Sequence, residues 1–276
     1  MKQAQRAQPT GSLIVVGTGI QAIGQITIEA RACAEKADKL LYLASDPVTE
    51  QYLRDLNPSA ESIHDSYGDN KERFESYVDM IERIMVEVRR GLNVCAAFYG
   101  HPGVFVYPSH AAIRQARNEG YRARMMPGIS AEDCLFADLG IDPALAGCHS
   151  FEATDFLVFR RKFDPCSSLI LWQVGVIGDL TFKANGYENK NIHVLVDYLA
   201  QFYDRNHRVV VYEASHYAIY DPRIEKTTIS ELSDISLTPI STLFVPPLPA
   251  KIDEEMLQRL GLKGVRLKEV KMDVIG

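Results

Sequence analysis

The chain has 276 residues, 46% of them hydrophobic and 24% charged, with a net charge of −6. That is room for two soluble domains with ordinary cores, and no apolar run approaches the roughly 18–20 residues needed to span a bilayer. The longest basic runs are Arg89-Arg90 and Arg160-Arg161-Lys162, too little phosphate-neutralising charge for a nucleic-acid partner to be expected.

Residues 1–12 are polar, lack a signal-peptide core and read as a disordered tail, which points to a cytoplasmic protein. A short buried strand, Leu13–Val16, follows. Gly17-Thr18-Gly19 turns it into a helix predicted over Ala22–Glu35. The next strand is Leu40–Ala44. Asp46-Pro47 starts a helix that stops near Asn57-Pro58, because proline disfavours helix in the residue before it. The chain is extended near Ile63. Asp69 and Glu72 have capping-box spacing and open a helix to Arg90, with Gly91 just past its end. Its expected apolar stripe is Phe74, Tyr77, Val78, Ile81, Ile84, Met85 and Val88. Asn93–Tyr99 reads as a buried strand, Ser109–Asn118 as a helix stopped by Gly120, and Arg122–Met126 as a strand punctuated by Pro127-Gly128. Beyond it, strands are predicted at Phe156–Phe159, Ser168–Gln173, Val209–Glu213, Thr227–Thr228 and Thr242–Val245. Helices are predicted at Ile129–Leu139 and Ile192–Phe202. Pro246-Pro247-Leu248-Pro249 is a stiff exit, and 253–260 a last short helix.

Strand–helix alternation predicts a layered, parallel α/β domain over 13–127. A second α/β domain with a more mixed sheet is expected over 128–249, and a carboxy-terminal extension over 250–276. Cys33, Cys95, Cys134, Cys148 and Cys166 are odd in number and have no metal-ligand spacing, so reduced thiols and no metal site are expected.

The chemistry concentrates in two segments. The first is Tyr67-Gly-Asp-Asn-Lys-Glu-Arg73-Phe-Glu-Ser-Tyr77. Arg73 and Tyr77 are four apart and share a helical face. The second is Tyr99-Gly100-His101-Pro102-Gly103-Val104-Phe105, a rigid loop at the carboxyl end of a strand, where α/β sheets bind ligands. Bare loop N–H groups there are expected to hold a small polar cofactor. A core role for Tyr77 and a simple chain reversal at the loop remain open alternatives. An arginine at the edge of the same stripe must pair or face a cleft, because a buried unpaired charge is costly. Gly17-x-Gly19-x4-Gly24 after a strand, with Asp46 at the end of the second strand, also invites a dinucleotide reading, though its spacing departs from the fingerprint. Ser130-Ala131-Glu132-Asp133 reads either as an ordinary helix start or as a helix amino terminus facing a ligand carboxylate. Trp172-Gln173, Tyr212-Glu213-Ala214 and Ser241-Thr242 are polar points in apolar strands and read either as a cleft lining or as ordinary strand residues.

Four motifs carry a family resemblance: Gly17-Thr-Gly, Tyr99-Gly-His-Pro-Gly-Val-Phe105, Tyr121-Arg-Ala-Arg-Met-Met-Pro-Gly-Ile-Ser-Ala-Glu-Asp-Cys-Leu-Phe-Ala-Asp-Leu139 and Phe151-Glu-Ala-x-Asp-Phe156. Together with the spacing of Tyr67, Arg73, Tyr77 and Tyr99 they resemble the borosin peptide backbone α-N-methyltransferases of the omphalotin type, over about Gly11–Pro247. The resemblance implies a tetrapyrrole-methylase-like α/β fold of two domains, with S-adenosylmethionine in the cleft between them and S-adenosylhomocysteine as product. It implies that the first glycine turn is not a dinucleotide site. It carries over Tyr67, Arg73 and Tyr77 as catalytic, with Tyr99 near the transferred methyl. Tyr99, Gly100, His101, Pro102, Gly103, Val104, Phe105, Ser130, Ala131, Gln173, Tyr212, Ala214 and Thr242 are implied cofactor contacts. Fungal members carry their substrate as a carboxy-terminal extension, whereas Lys271–Gly276 holds only one short apolar scrap. A homodimer acting on a separate precursor peptide with an apolar core is therefore expected, a truncated fusion being the alternative. A precorrin-type small-molecule methyltransferase and a catalytically silent peptide-binding or sensor domain compete. The former loop is typically Gly-Asp-Pro, and it has no reason to keep the tyrosine–arginine set.

Overall fold

The computed structural model describes residues 10–262. Residues 1–9 of the tail expected over 1–12 and the reading of Lys271–Gly276 lie outside the described residues, while Ser12, the end of that tail, instead begins the first strand, where its backbone pairs with the neighbouring strands. By internal contacts the chain forms two compact units. The first comprises Met1–Cys134 with two later stretches, Leu180–Asn185 and Ala214–Pro222, and the second comprises Leu135–Asp179, Gly186–Glu213 and Arg223–Gly276.

The first unit is built on β1 (Ser12–Gly17), β2 (Lys39–Leu43), β3 (Glu61–Ser62), β4 (Asn93–Phe98) and β5 (Arg122–Met125). These form a parallel sheet in the order β3-β2-β4-β1-β5. Its helices are α1 (Ile28–Lys36), α2 (Pro47–Leu56), α3 (Arg73–Arg89) and α4 (Tyr107–Asn118). Strand side chains alternate between two cores. Leu13, Val15, Leu41 and Leu43 pack with Met80, Ile84 and Ala112 of α3 and α4, while Val16, Leu40 and Tyr42 pack with Ala30, Ala34 and Leu53 of α1 and α2. The connections leaving the neighbouring strands β1 and β4 therefore run to opposite faces. That is the topology that opens a crevice at the strands' carboxyl ends.

Several expectations shift. Helix α1 starts at Ile28 rather than Ala22, because residues 19–27 form a loop closed by the N-cap Thr27, whose hydroxyl accepts from Ala30 N at 3.0 Å. The Asp69–Glu72 capping box does not form. Glu72 is the N-cap without a side-chain bond, and Asp69 Oδ1 instead accepts from Ala184 N at 3.1 Å. Phe74 and Val78 leave the apolar stripe, 57% and 48% exposed, since the first turns bury the small Ser76 instead.

The second unit contains a mixed sheet, β6-β7-β10-β8-β9, of β6 (Cys148–Glu152), β7 (Ser168–Trp172), β8 (Arg208–Glu213), β9 (Arg223–Thr228) and β10 (Thr242–Val245). Only β6 and β7 are parallel. Helices α5 (Ala131–Leu139), α6 (Ala153–Val158), α7 (Ile192–Leu199) and α8 (Glu254–Arg259) complete the chain. The predicted strand Phe156–Phe159 is instead the end of α6. Glu152 caps that helix by accepting from Asp155 N at 2.7 Å, and Phe156 is fully buried while Val158 is 69% exposed. The strand of this region lies just before it, at β6. Among the described residues no helix is long and apolar enough to cross a membrane.

Candidate active site

A cluster of phenols forms at the carboxyl edge of the first unit's sheet. Tyr67 ends a 3-10 turn over His64–Ser66 and is followed by Gly68. Arg73 opens α3, its backbone N–H donating to Leu180 O at 3.0 Å. Tyr77 lies one turn further, and Tyr99 follows the last residue of β4, its N–H donating to Leu43 O at 3.0 Å. Tyr67 and Tyr77 pack half-buried against the core beneath α3 and α4. Their rings meet edge to face, 6.5 Å apart at 78°. Tyr67, Tyr77 and Tyr99 line one small pocket with Leu43, Phe98, Phe105, Val106 and Pro108. The structure thus brings Tyr99 of the second segment to Tyr67 and Tyr77 of the first. Arg73 acts electrostatically on both Tyr67 and Tyr99.

Burial pushes the Tyr67 hydroxyl well above the ordinary tyrosine range. Neighbouring Tyr99 and Tyr77 push it the same way, Arg73 opposes them, and a hydrogen bond with Tyr77 adds to the rise. Tyr99 is raised as well, by burial and then Tyr77, again against Arg73. The Tyr99 residue is 44% exposed, yet its hydroxyl senses both Tyr77 and Arg73. Desolvation outweighs the guanidinium, so these phenols are neutral donors at neutral pH.

The loop after β4 meets the loop after β1. Gly100 N donates to Gly19 O at 2.8 Å and Gly19 N to Gly100 O at 3.3 Å. A Cβ on Gly17 would stand 2.2 Å from Gly100 O, so only glycine permits this approach. The loop's N–H groups are largely engaged within the chain, contrary to the expectation of bare donors. Gly103 N donates to His101 Nδ1 at 2.9 Å and Val104 N to His101 O at 3.2 Å. His110 Nε2 lies 2.9 Å from Gly103 O, which fixes the other end of the same peptide unit. Pro102 is buried beside Gly128. Phe105 takes φ +55° while 57% exposed, a conformation a bulky residue adopts only under outside constraint.

The remaining candidates are placed as follows. Ser130 is 6% exposed, and its Oγ donates to Asp133 Oδ2 at 2.6 Å while accepting from Asp133 N at 3.2 Å. That is a closed capping pair in front of Ala131, the ordinary helix-start reading. Ala214 is half-buried in the first unit, on the stretch whose His216 O accepts from Ala22 N at 2.8 Å. In the second unit, Gln173 sits in the left-handed region at φ +59°. Tyr212 and Thr242 face each other across β8 and β10, both buried. The Tyr212 hydroxyl donates to Asp138 Oδ2 at 2.6 Å, so its side chain has a structural duty. Asp46, the acid of the dinucleotide reading, caps α2. Its two oxygens accept from Thr49 N at 2.8 Å and Thr49 Oγ1 at 2.7 Å.

Three aromatic residues escaped the sequence reading. Phe98 lines the phenol pocket as the last residue of β4. Tyr107 contacts Phe74 and Tyr77, with centroids 5.5 and 6.3 Å apart. Phe182 stacks on Tyr67. Phe98 had a signal, its place directly before Tyr99. The other two had none, because their neighbours are remote in sequence.

Residues 12–233 match the tetrapyrrole (corrin/porphyrin) methylase family. The chain is 44% identical over 257 residues to the methyltransferase/ribosomally synthesized cyclic peptide omphalotin A precursor of Omphalotus olearius, covering 91% of this chain and 62% of that protein. It is 42% identical over 266 residues to a methyltransferase/ribosomally synthesized type I borosin cyclic peptide precursor of Coprinopsis marcescibilis, covering 93% of this chain and 68% of that one. The chain thus spans about three fifths to two thirds of the length of these relatives. A crystal structure of uroporphyrin-III C-methyl transferase from Thermus thermophilus, complexed with S-adenyl homocysteine, shares the fold at TM-score 0.57 and 15% identity, covering 86% of this chain and 92% of that one.

Proposed function

Because the chain belongs to the tetrapyrrole methylase family, and within it to the borosin methyltransferases, we propose that it methylates backbone amide nitrogens of a peptide with S-adenosylmethionine. The observation that carries this reading is the pocket of three phenols under the influence of Arg73, formed at the carboxyl edge of a parallel sheet.

The pocket suits the cofactor by its chemistry. Its lining is five aromatic rings and three apolar residues, and aromatic faces attract a cation such as a sulfonium. The loops carrying Gly17–Gly19 and Tyr99–Phe105 are the residues that would hold the cofactor, by shape more than by N–H donation. When bound, it supplies an electrophilic methyl group. The chain's own residues then act on the amide. An amide nitrogen is a poor nucleophile because its lone pair is delocalised into the carbonyl. As that nitrogen becomes nucleophilic it gives up its proton to water, and charge grows on the carbonyl oxygen. The Tyr67 and Tyr77 hydroxyls and the Arg73 guanidinium are preorganised donors for it, as in an oxyanion hole. Tyr99 sits beside them and narrows the approach, so that transfer becomes mainly a matter of positioning.

A homodimer rests on the resemblance alone, and because the relatives' names describe methyltransferase/precursor fusions, delivery in trans and self-methylation are the two outcomes to separate. Co-expression with a candidate peptide, followed by intact and fragment mass spectrometry, tests the whole reading. Increments of whole methyl groups on backbone nitrogens support it. Increments on this chain's own polypeptide, with none on the added peptide, replace delivery in trans by self-methylation. S-adenosylmethionine bound tightly but never converted to S-adenosylhomocysteine would favour the sensor reading.

A further inference from the structure

Tyr67 has no regular element to hold it. It follows a 3-10 turn, its N–H donating to His64 O at 3.0 Å, and the next residues, through Asn70 at φ +60°, form a loop. A tyrosine on such a loop samples several side-chain rotamers unless packing selects one. The packing comes from far along the chain. Leu180–Asn185 lies along residues 69–73 as a short antiparallel strap. Asn70 N donates to Phe182 O at 2.7 Å, and Phe182 N donates to Lys71 O at 2.9 Å. Glu72 and Thr181 form a bridge. Ala184 N reaches the Asp69 carboxylate at 3.1 Å. This register lays the Phe182 ring on the Tyr67 ring, with centroids 4.9 Å apart and planes at 21°. His64 meets both rings edge-on, at 5.6 Å from Tyr67 and 6.2 Å from Phe182. With Tyr77 meeting it edge to face at 6.5 Å, the Tyr67 ring has three aromatic neighbours among these residues.

We propose that Phe182 is the positioning residue for Tyr67, and that the strap Leu180–Asn185 exists in this chain to aim that hydroxyl at the substrate carbonyl. This rests on the catalytic assignment of Tyr67 made above. The stacked ring contributes a face that an aliphatic side chain cannot reproduce. It also covers Tyr67 from water, which is one source of the burial that keeps the phenol neutral.

The test is a mutant cycle on the full chain with tyrosine rings selectively labelled for NMR. The Tyr67 signal is assigned by its loss in Tyr67→Phe. We expect it displaced by the Phe182 ring current in the native chain, and displaced less, with faster ring flips, in Phe182→Ala. Turnover on a peptide that the mass-spectrometric test confirms as substrate should fall about tenfold in Phe182→Ala and nearly as far in Phe182→Leu, while Phe182→Tyr restores most of it. S-adenosylmethionine affinity should stay within about twofold. Because Phe182 acts through Tyr67, the double variant Phe182→Ala/Tyr67→Phe should be no slower than Tyr67→Phe. Phe182→Leu keeps apolar volume and so guards against a fold defect in Phe182→Ala. An unmoved Tyr67 signal, native turnover in Phe182→Leu, or additive losses in the double variant each overturn the inference. Native turnover in Tyr67→Phe is a different result, since it removes the catalytic assignment itself.

Discussion

One polar cluster in each unit makes a contrast. In the second unit, the polar groups around Glu213, Trp172 and Tyr212 are paired inside the fold. Glu213 accepts from Arg223 Nη1 at 3.0 Å, from Thr238 Oγ1 at 2.8 Å and from Ser241 Oγ. Trp172 Nε1 donates to Ser150 Oγ at 2.7 Å, and Tyr212 to Asp138. In the first unit three phenols cluster around a pocket, and burial raises the Tyr67 hydroxyl above the ordinary tyrosine range. Polar groups paired inside a sheet hold the sheet together. Donors gathered around a pocket, beside a loop strained at Phe105, are what a reaction requires. Substitutions in the second unit should therefore register mainly in stability, and those in the pocket mainly in rate.

The widest separation is expected at the pocket. Arg73→Ala and Tyr77→Phe should each lower turnover by about 10²–10³, the usual effect of removing one such donor. The melting temperature should move little, and cofactor affinity only a few-fold. Stopped-assay rates beside calorimetric melting check both halves. Native turnover in both variants would dissolve the contrast between the units.

Gly17→Ala comes next. Its Cβ would meet Gly100 O at 2.2 Å and Pro102 Cδ at 2.8 Å, and backbone cannot yield as a side-chain tip can. We expect a loss of about 2–3 kcal/mol, the upper range for overpacking, together with weakened S-adenosylmethionine binding by titration calorimetry. Gly103→Ala is the milder companion. A Cβ there meets the Met125 sulfur at 2.7 Å, and a flexible thioether can swing aside for about 1 kcal/mol. Within the chain, a Cβ at Gly103 thus packs against Met125 and His101. Similar losses for the two glycines would contradict that distinction.

Glu213→Ala probes the other side of the comparison. It leaves two hydroxyls without their carboxylate and Arg223 with Glu225 alone as an ion-pair partner. A cost of about 2 kcal/mol is expected, seen as a melting temperature lower by about 4–8 °C. A loss of rate larger than the loss of stability would place Glu213 in the chemistry.

The smallest effect is a pH dependence. Tyr67 is raised on folding, so its contribution is fully present below the unfolded phenol value of about 10 and is lost as pH rises toward the folded value. The native chain should lose stability above pH ~10 more steeply than Tyr67→Phe, as followed by urea unfolding across that range. Parallel curves would mean that the Tyr67 phenol is not buried in solution.

Local chemistry made much of this protein legible in its sequence. Apolar runs ending in glycine gave β1 and β4, and Asp46-Pro47 gave the start of α2, because caps and strand burial are decided within a few residues. The four-residue spacing of Arg73 and Tyr77 set them one turn apart on α3 without reference to the rest of the fold. Long-range contacts decided what remained. Whether Phe156 lay in a strand or a helix depended on Glu152 capping and on the core it entered. Phe74 and Val78 had a core pattern but no core to meet. The state of the phenols could not be read either, since desolvation arises from atoms distant in sequence, and it outweighs the nearby guanidinium of Arg73. Phe182, more than a hundred residues beyond Tyr67, reaches it only because a strap returns to pair with residues 69–73, and no periodicity in the chain announces that pairing.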